Sequence, residues 1–374
     1  MLVVVSISFI AILFTFLDSR GILKNGMWFG FVLITVLGCI HYNYGNDYIG
    51  YHELFDEITS RPLQYDDLLD SSNSHDPGWV VLNHLFKHLG GFFMMVFVLN
   101  IFQNVIYFRF IKENVEKKKW AFAIMIYLLS GSLYIINFSM MRQGLAIALF
   151  VWSWKYIKER RMIPTLIILF VASTIHHSAQ ILLPFVLFAI IPINNKIVAV
   201  TFISLFFALY LSSSFLSNVF SSFNDMEQMR SNQYLEYYSR DSNSDDRYAI
   251  GLGFLVNLIP FVVAMWALFR KEAVMDGPHK LLISLSMISF LIAPFGQKLA
   301  IIGRYSMYFD ALKIAAVPYI YSLLPKKLCQ VLTAVFILML LYGYYSFFHS
   351  PVWIKDYSTF HTIFSVIYIL RLME

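Results

Sequence analysis

The residues with chemistry to offer sit where apolar runs begin or end. His176 and His177 close a tight turn in STIHHSAQ, and Arg142–Gln143 opens a run in NFSMMRQG. Arg304, Tyr305 and Tyr308 open another in GRYSMYFD. The fourteen residues YNYGNDYIGYHELF, Tyr42 to Phe55, hold four tyrosines around Asp47. A guanidinium grips phosphate oxygens through paired N–H groups. A helix N-terminus adds free N–H groups and a favourable dipole for an anion. A carboxylate or an imidazole takes a proton from a hydroxyl. Tyrosine rings stack on sugar faces and hydrogen-bond at their edges. Each feature also has a plainer reading. Tyrosines gather at membrane interfaces regardless of function, an interfacial Arg snorkels to water, and a histidine pair can simply close a turn. Asp47 is the residue that the aromatic-belt reading leaves unexplained.

The elements that must hold these groups are membrane helices. Of the 374 residues 59% are hydrophobic and 14% charged, against about 25% charge in a soluble domain. The apolar runs reach the roughly 15–20 residues needed to cross a hydrocarbon layer about 30 Å thick. The composition implies an all-α polytopic membrane protein, since helices satisfy their backbone internally. Candidate spans are 1–17, 27–41, 90–110, 120–138, 143–157, 162–176, 179–192, 197–212, 249–269, 280–295, 305–323, 328–348 and 359–371, about thirteen in one membrane domain over 1–374. The first lacks a basic leader and a small-residue cleavage site, so it reads as a retained span. DPGWVVLNHLFKHLGG, Asp76 to Gly91, reads as an amphipathic helix at the interface, with Asp76–Pro77–Gly78 as its turn.

Lysine and arginine orient the spans. With the loop after the first span inside, eighteen of the 28 basic residues fall in short inner loops, including Lys117–Lys118–Lys119. Nine fall outside, and Lys313 lies within a span, one turn from Asp310, where the two would neutralise each other. The long loops 42–89 and 213–248 are then both outside, the N-terminus is out and the C-terminus in. This frame puts Cys39 and Cys329 near opposite faces, which excludes a disulfide between them. The net charge of +5 resides in inner loops and is no sign of nucleic-acid binding. The orientation used no motif, yet it gathers Asp47, Arg142, His176, His177 and Arg304 on the outer side. Two arginines, aromatics, a carboxylate and a histidine pair there suit a lipid-pyrophosphate sugar donor. The adjacent histidines form neither HxxxH nor HExxH, so the pair alone does not spell zinc, and no Gly-rich phosphate loop appears. Metal and cofactor are both expected to be absent.

In order and spacing, YNYGNDYIGYHELF, DPGWVVLNHLF, INFSMMRQGLAIALFVWSWKYIKERR, STIHHSAQILLPFVLF and GRYSMYF resemble the EpsG family of polysaccharide polymerases, which is similar in role to Wzy-type O-antigen and capsule polymerases. RQG with HHS is the most specific part, and the likeness covers about 40–310. Asp76 stands where the family often has Glu. The resemblance implies a fold like the membrane-embedded GT-C glycosyltransferases. It also implies transfer of a growing undecaprenyl-pyrophosphate-linked glycan to a fresh repeat unit, in a bacterial inner membrane and with a chain-length regulator as a possible partner. On this reading Arg142 and Arg304 hold the pyrophosphate. Asp47 is the acceptor base, with His177 its rival. Tyr44, Tyr48, Tyr51, Gln143, His176, Tyr305 and Tyr308 bind substrate.

Two rival classes remain open. A membrane acyltransferase would need a cytoplasmic donor route with a histidine, and the inner loops hold only His279. A flippase would need polar groups along several spans, and only Asp310 and Lys313 fit clearly.

Overall fold

The computed structural model describes residues 1–69, 76–185, 195–211, 252–270, 275–292, 300–351 and 353–365. The apolar runs fold as helices, because a chain in hydrocarbon must pair its own N–H and C=O groups. Helices α1 (Leu2–Ser19) and α2 (Gly26–Ile40) form a packed hairpin. Strand β1 (His41–Tyr42) follows, then α3 (Tyr48–Thr59), α4 (Asp66–Leu69) and α5 (Pro77–Leu89), all within the expected outer loop 42–89. Next come α6 (Gly91–Asn114), α7 (Trp120–Leu129), α8 (Met141–Lys158), α9 (Met162–Ile175), α10 (Leu182–Phe185) and α11 (Asn195–Leu211). The remaining elements are α12 (Leu252–Arg270), α13 (Gly277–Ile292), α14 (Ala300–Ser322), α15 (Lys326–His349), α16 (Ile354–Tyr357) and strand β2 (His361–Thr362). Helices α1, α6 and α15 are long and apolar enough to cross a membrane, and α2, α9 and α13 are shorter apolar helices. The chain is an all-α membrane protein, and among the described residues β1 pairs antiparallel with β2. The expected loop 213–248 and the end of the expected last span, 366–371, lie outside the described residues. Residues 359–365 of that span carry β2 instead of an uninterrupted helix.

One expected span breaks in two. Residues 120–138 read as a single crossing, yet α7 stops at Leu129 and Ser130–Gly131–Ser132 turns the chain. A 3₁₀ turn, Ile135–Phe138, follows. Ten residues rise only about 15 Å, half a bilayer. Irregular backbone at that depth is tolerated only when protein surrounds it, and Leu133 through Ser139 are all buried. This wrapped segment delivers Ser139 and then Arg142 to one end of the bundle.

Several polar groups inside the bundle are paired. Asn100 donates to the Val96 carbonyl at 2.9 Å and Asn104 to that of Asn100 at 2.9 Å, while Tyr127 donates to Asn104 Oδ1 at 2.9 Å. Such back-bonding lets amides sit on a buried helix face. Lys313 pairs with Asp310 at 2.7 Å and donates to Asn257 at 2.7 Å, while the Ser289 hydroxyl donates to Asp310. The two charges neutralise each other within α14, and Asn257 of α12 and Ser289 of α13 hydrogen-bond to the pair.

Contacts sort the loops into two ends. At one, Lys117 pairs with Asp18 at 2.9 Å. At the other, the Met1 amino group donates to Ser358 O at 2.9 Å, Gly45 N donates to Asp356 O at 3.1 Å, and β1 meets β2. Helices α3 and α5 and the candidate site belong to this second end.

Candidate functional site

Asp76 is the hub. It occupies the N-cap of α5 with extended backbone and Pro77 in the first turn. An N-cap Asp ordinarily accepts from its own helix. Asp76 makes no such bond; its carboxylate turns to the end of α9. Oδ1 accepts the His177 backbone N–H at 3.0 Å and faces His177 Nδ1 at 3.4 Å, while Oδ2 lies 3.4 Å from His176 Nδ1 and 3.4 Å from Arg142 Nη1. Gly78 makes this approach possible: a Cβ there would sit 2.8 Å from the Thr174 carbonyl carbon. Burial alone would raise the Asp76 pKa, but the two histidines and the Arg142 charge outweigh it and hold the carboxyl well below its usual range. Burial lowers the His176 pKa in spite of Asp76. The His177 side chain is 71% exposed.

A second group abuts the first. The Arg142 guanidinium lies 5.6 Å from the centre of the Tyr51 ring, with Nε 3.5 Å from its hydroxyl. Trp79 packs edge-on against the same ring at 5.6 Å. Asp47 is half-buried at the start of α3. Asn46 donates to its Oδ1 at 2.8 Å and accepts from the Ser139 hydroxyl at 2.5 Å. The preceding Gly45 has φ near +109°, and a Cβ there would meet Ser139 Cβ at 2.9 Å. Only glycine lets this loop press onto the wrapped segment. Burial raises the Asp47 pKa above its ordinary value, and Arg304, Ser139 and Arg142 hold it back only in part.

Helix α14 is fixed to this assembly by side chains. Gln143 donates to the Arg304 carbonyl at 2.8 Å, and the Ser178 and Tyr308 hydroxyls meet at 2.9 Å. Arg304 and Tyr305, both half-buried, are thereby set at the same end.

The structure places several of the expected substrate contacts inside the protein. Tyr44 is fully buried against Phe138, Tyr357 and Phe360, and Tyr48 against His41, Tyr42 and Phe92. Their rings fill the core and present no face to a sugar. Tyr308 is also fully buried and braces Ser178, while Gln143, 1% exposed, gives its amide to backbone. His176 is tied up with Asp76. Asp47, Tyr51, Arg142, His177, Arg304 and Tyr305 remain at the accessible end. Sequence reading treated Asp76 as an ordinary turn and missed it as the hub; its partners lie 66 to 101 residues away. Ser139 carries no local signal, and Ser178, though part of HHS, carries none for its bond to Tyr308.

A helical membrane protein with a carboxylate–arginine–histidine cluster at one end of its bundle is the class that fold and site define. The chain belongs to the EpsG family, whose profile matches residues 26–362 and so spans every residue of the cluster. As a member it is a membrane-bound polysaccharide polymerase in general terms. No curated protein and no solved structure matches the chain.

Proposed function

We propose that this polymerase joins undecaprenyl-pyrophosphate-linked repeat units at the outer face of a bacterial inner membrane, on an architecture of about thirteen spans related to the GT-C glycosyltransferases. The observation that carries this reading is the convergence of Arg142, Arg304 and Asp47. They come from three separate segments, are linked through Tyr51 and Gln143, and interact electrostatically. An apolar groove of about 450 Å³, lined by Leu68, Val81, Leu82, Leu85, Val171 and Ile175, lies beside Asp76 and suits an isoprenoid tail. In the reaction the acceptor hydroxyl loses its proton to Asp47 as its oxygen bonds to the anomeric carbon. The bond from that carbon to the pyrophosphate oxygen breaks, and the oxygen leaves with the electron pair. Arg142 and Arg304 bind the pyrophosphate and stabilise the charge that develops on it. Tyr51 and Tyr305 flank the sugars. Its raised pKa makes Asp47 a stronger base than an ordinary carboxylate.

One observation favours a second assignment of the base. His177 faces the Asp76 carboxylate through Nδ1 and exposes its ring, the arrangement of an oriented histidine base. In cells, Arg142→Ala and Arg304→Ala should each reduce long-chain polysaccharide by about 10²–10³-fold, with single lipid-linked units accumulating. Long chains retained at normal protein level would refute the arginine roles. Loss of polymer in Asp47→Asn with retention in His177→Gln selects Asp47 as base; the reverse pattern selects His177.

A further inference from the structure

We propose that Asp76, His176 and His177 form a binding site for one divalent transition-metal ion of the zinc class. The three residues offer one carboxylate and two ring nitrogens, all within 4.8 Å of one another. The spacing of the groups leaves room for an ion between them. Good N–H···O bonds span about 2.7–3.2 Å. The two imidazole–carboxylate separations are both 3.4 Å, too long for strong bonds. An ion with tetrahedral ligand bonds of about 2.0–2.1 Å holds its ligand atoms roughly 3.3–3.4 Å apart. The two separations run to different oxygens, Oδ2 for His176 and Oδ1 for His177, so a small inward turn of the exposed His177 ring would bring both nitrogens and one carboxylate oxygen to such spacings.

The surroundings complete the case. Each carboxylate oxygen already has an outside partner: the His177 backbone N–H on Oδ1 at 3.0 Å and the Arg142 guanidinium on Oδ2 at 3.4 Å. These would persist as supporting contacts when the imidazole nitrogens turn their lone pairs to the ion, the role that outer partners play at metal centres. His176 is buried and fixed, while His177 is 71% exposed, so an ion can enter from water without opening the core. Two nitrogens and a carboxylate favour zinc-class ions over magnesium or calcium, which prefer all-oxygen shells. Three protein ligands leave a coordination position for water or an anionic oxygen. An ion held by the His177 ring would leave Asp47 as the acceptor base.

The site does not rest on the polymerase reading, and its test needs no glycan. The purified full-length protein in detergent is stripped with chelator, re-equilibrated with ZnCl₂ and assayed for bound zinc, with MgCl₂ in parallel. CoCl₂ provides a visible ligand-field spectrum. One equivalent of zinc, a tetrahedral Co²⁺ spectrum and no tight magnesium binding are expected. Asp76→Asn and His176→Ala should abolish this equivalent. Because those side chains are buried, His177→Ala is the decisive variant: its exposed ring is not needed for folding, and affinity should fall at least about tenfold. Absence of stoichiometric zinc in the wild type, or zinc binding unchanged in His177→Ala, would overturn the proposal. Zinc bound normally by a variant that makes no polymer bears on the arginine and Asp47 roles alone.

Discussion

At the residue scale, charged groups reach the accessible end while several tyrosine rings stay in the core. Arg142, Arg304 and Asp47 stood out because each breaks an apolar pattern, and such breaks are costly in a membrane. Tyr44 and Tyr48 look like Tyr51 in sequence, yet Phe138, Phe360 and Tyr357 bury Tyr44 from distant segments. Asp47 supports a prediction with a sign. Burial raises its folded pKa above the unfolded value. Between those two pKa values the folded chain holds more protons than the unfolded chain, so stability falls as pH rises through the window. Above the folded pKa the ionised carboxylate remains a net cost. Asp47→Asn removes that cost and keeps an acceptor for Asn46. It should lower polymer synthesis by about 10²–10⁴-fold while leaving the melting temperature at neutral pH equal or higher. At a pH below both pKa values this advantage should vanish. A variant with a clearly lower melting temperature at neutral pH would show that the ionised carboxylate holds the loop together. In the active enzyme, the acid limb of the rate profile should lie above that of an ordinary carboxylate.

At the scale of elements, periodicity found most helices, but not how one of them ends. The run 120–138 is apolar enough to be a span, and Ser130–Gly131–Ser132 was the available warning of a break. The return of 133–139 into the protein depends on α2 and α3: Tyr134 donates to Ile34 O at 2.7 Å and Ser139 reaches Asn46. No local pattern encodes such contacts. Helix α5 was legible as an amphipathic element, but its docking was not, because docking depends on the bare Cα of Gly78 against Thr174. Gly78→Ala should therefore drive α5 from α9, at about 1–3 kcal/mol for overpacking, and weaken whatever Asp76, His176 and His177 hold. Gly343, inside α15, has open space where its Cβ would be. Gly343→Ala should instead stabilise by up to about 1 kcal/mol through helix propensity. Thermal unfolding of the two variants in one detergent should shift in opposite directions; equal shifts would mean that the α5–α9 contact is not tight.

At the scale of the whole molecule, composition was enough for an all-α membrane protein, whereas the site required three-dimensional assembly. Chain contacts establish that Met1, the loop after α2, α16 and the end of α9 share one end, while the turn after α1 and the lysines before α7 share the other. Which end faces the cell interior rests on the basic bias of the short loops. That assignment is testable without activity. The two native cysteines, Cys39 and Cys329, are unpaired and are first replaced by serine. Single cysteines are then introduced by His177→Cys, at a side chain 71% exposed, and Lys118→Cys, at one 76% exposed. A membrane-impermeant maleimide applied to intact spheroplasts should label His177→Cys, and should label Lys118→Cys only after permeabilisation. The opposite pattern would invert the orientation and move the cluster to the cytoplasmic side. A sugar polymerised there would still need export, so the proposed reaction at the outer face would fail with it. Labelling of both positions in intact spheroplasts would contradict a membrane lying between the two ends that the contacts define.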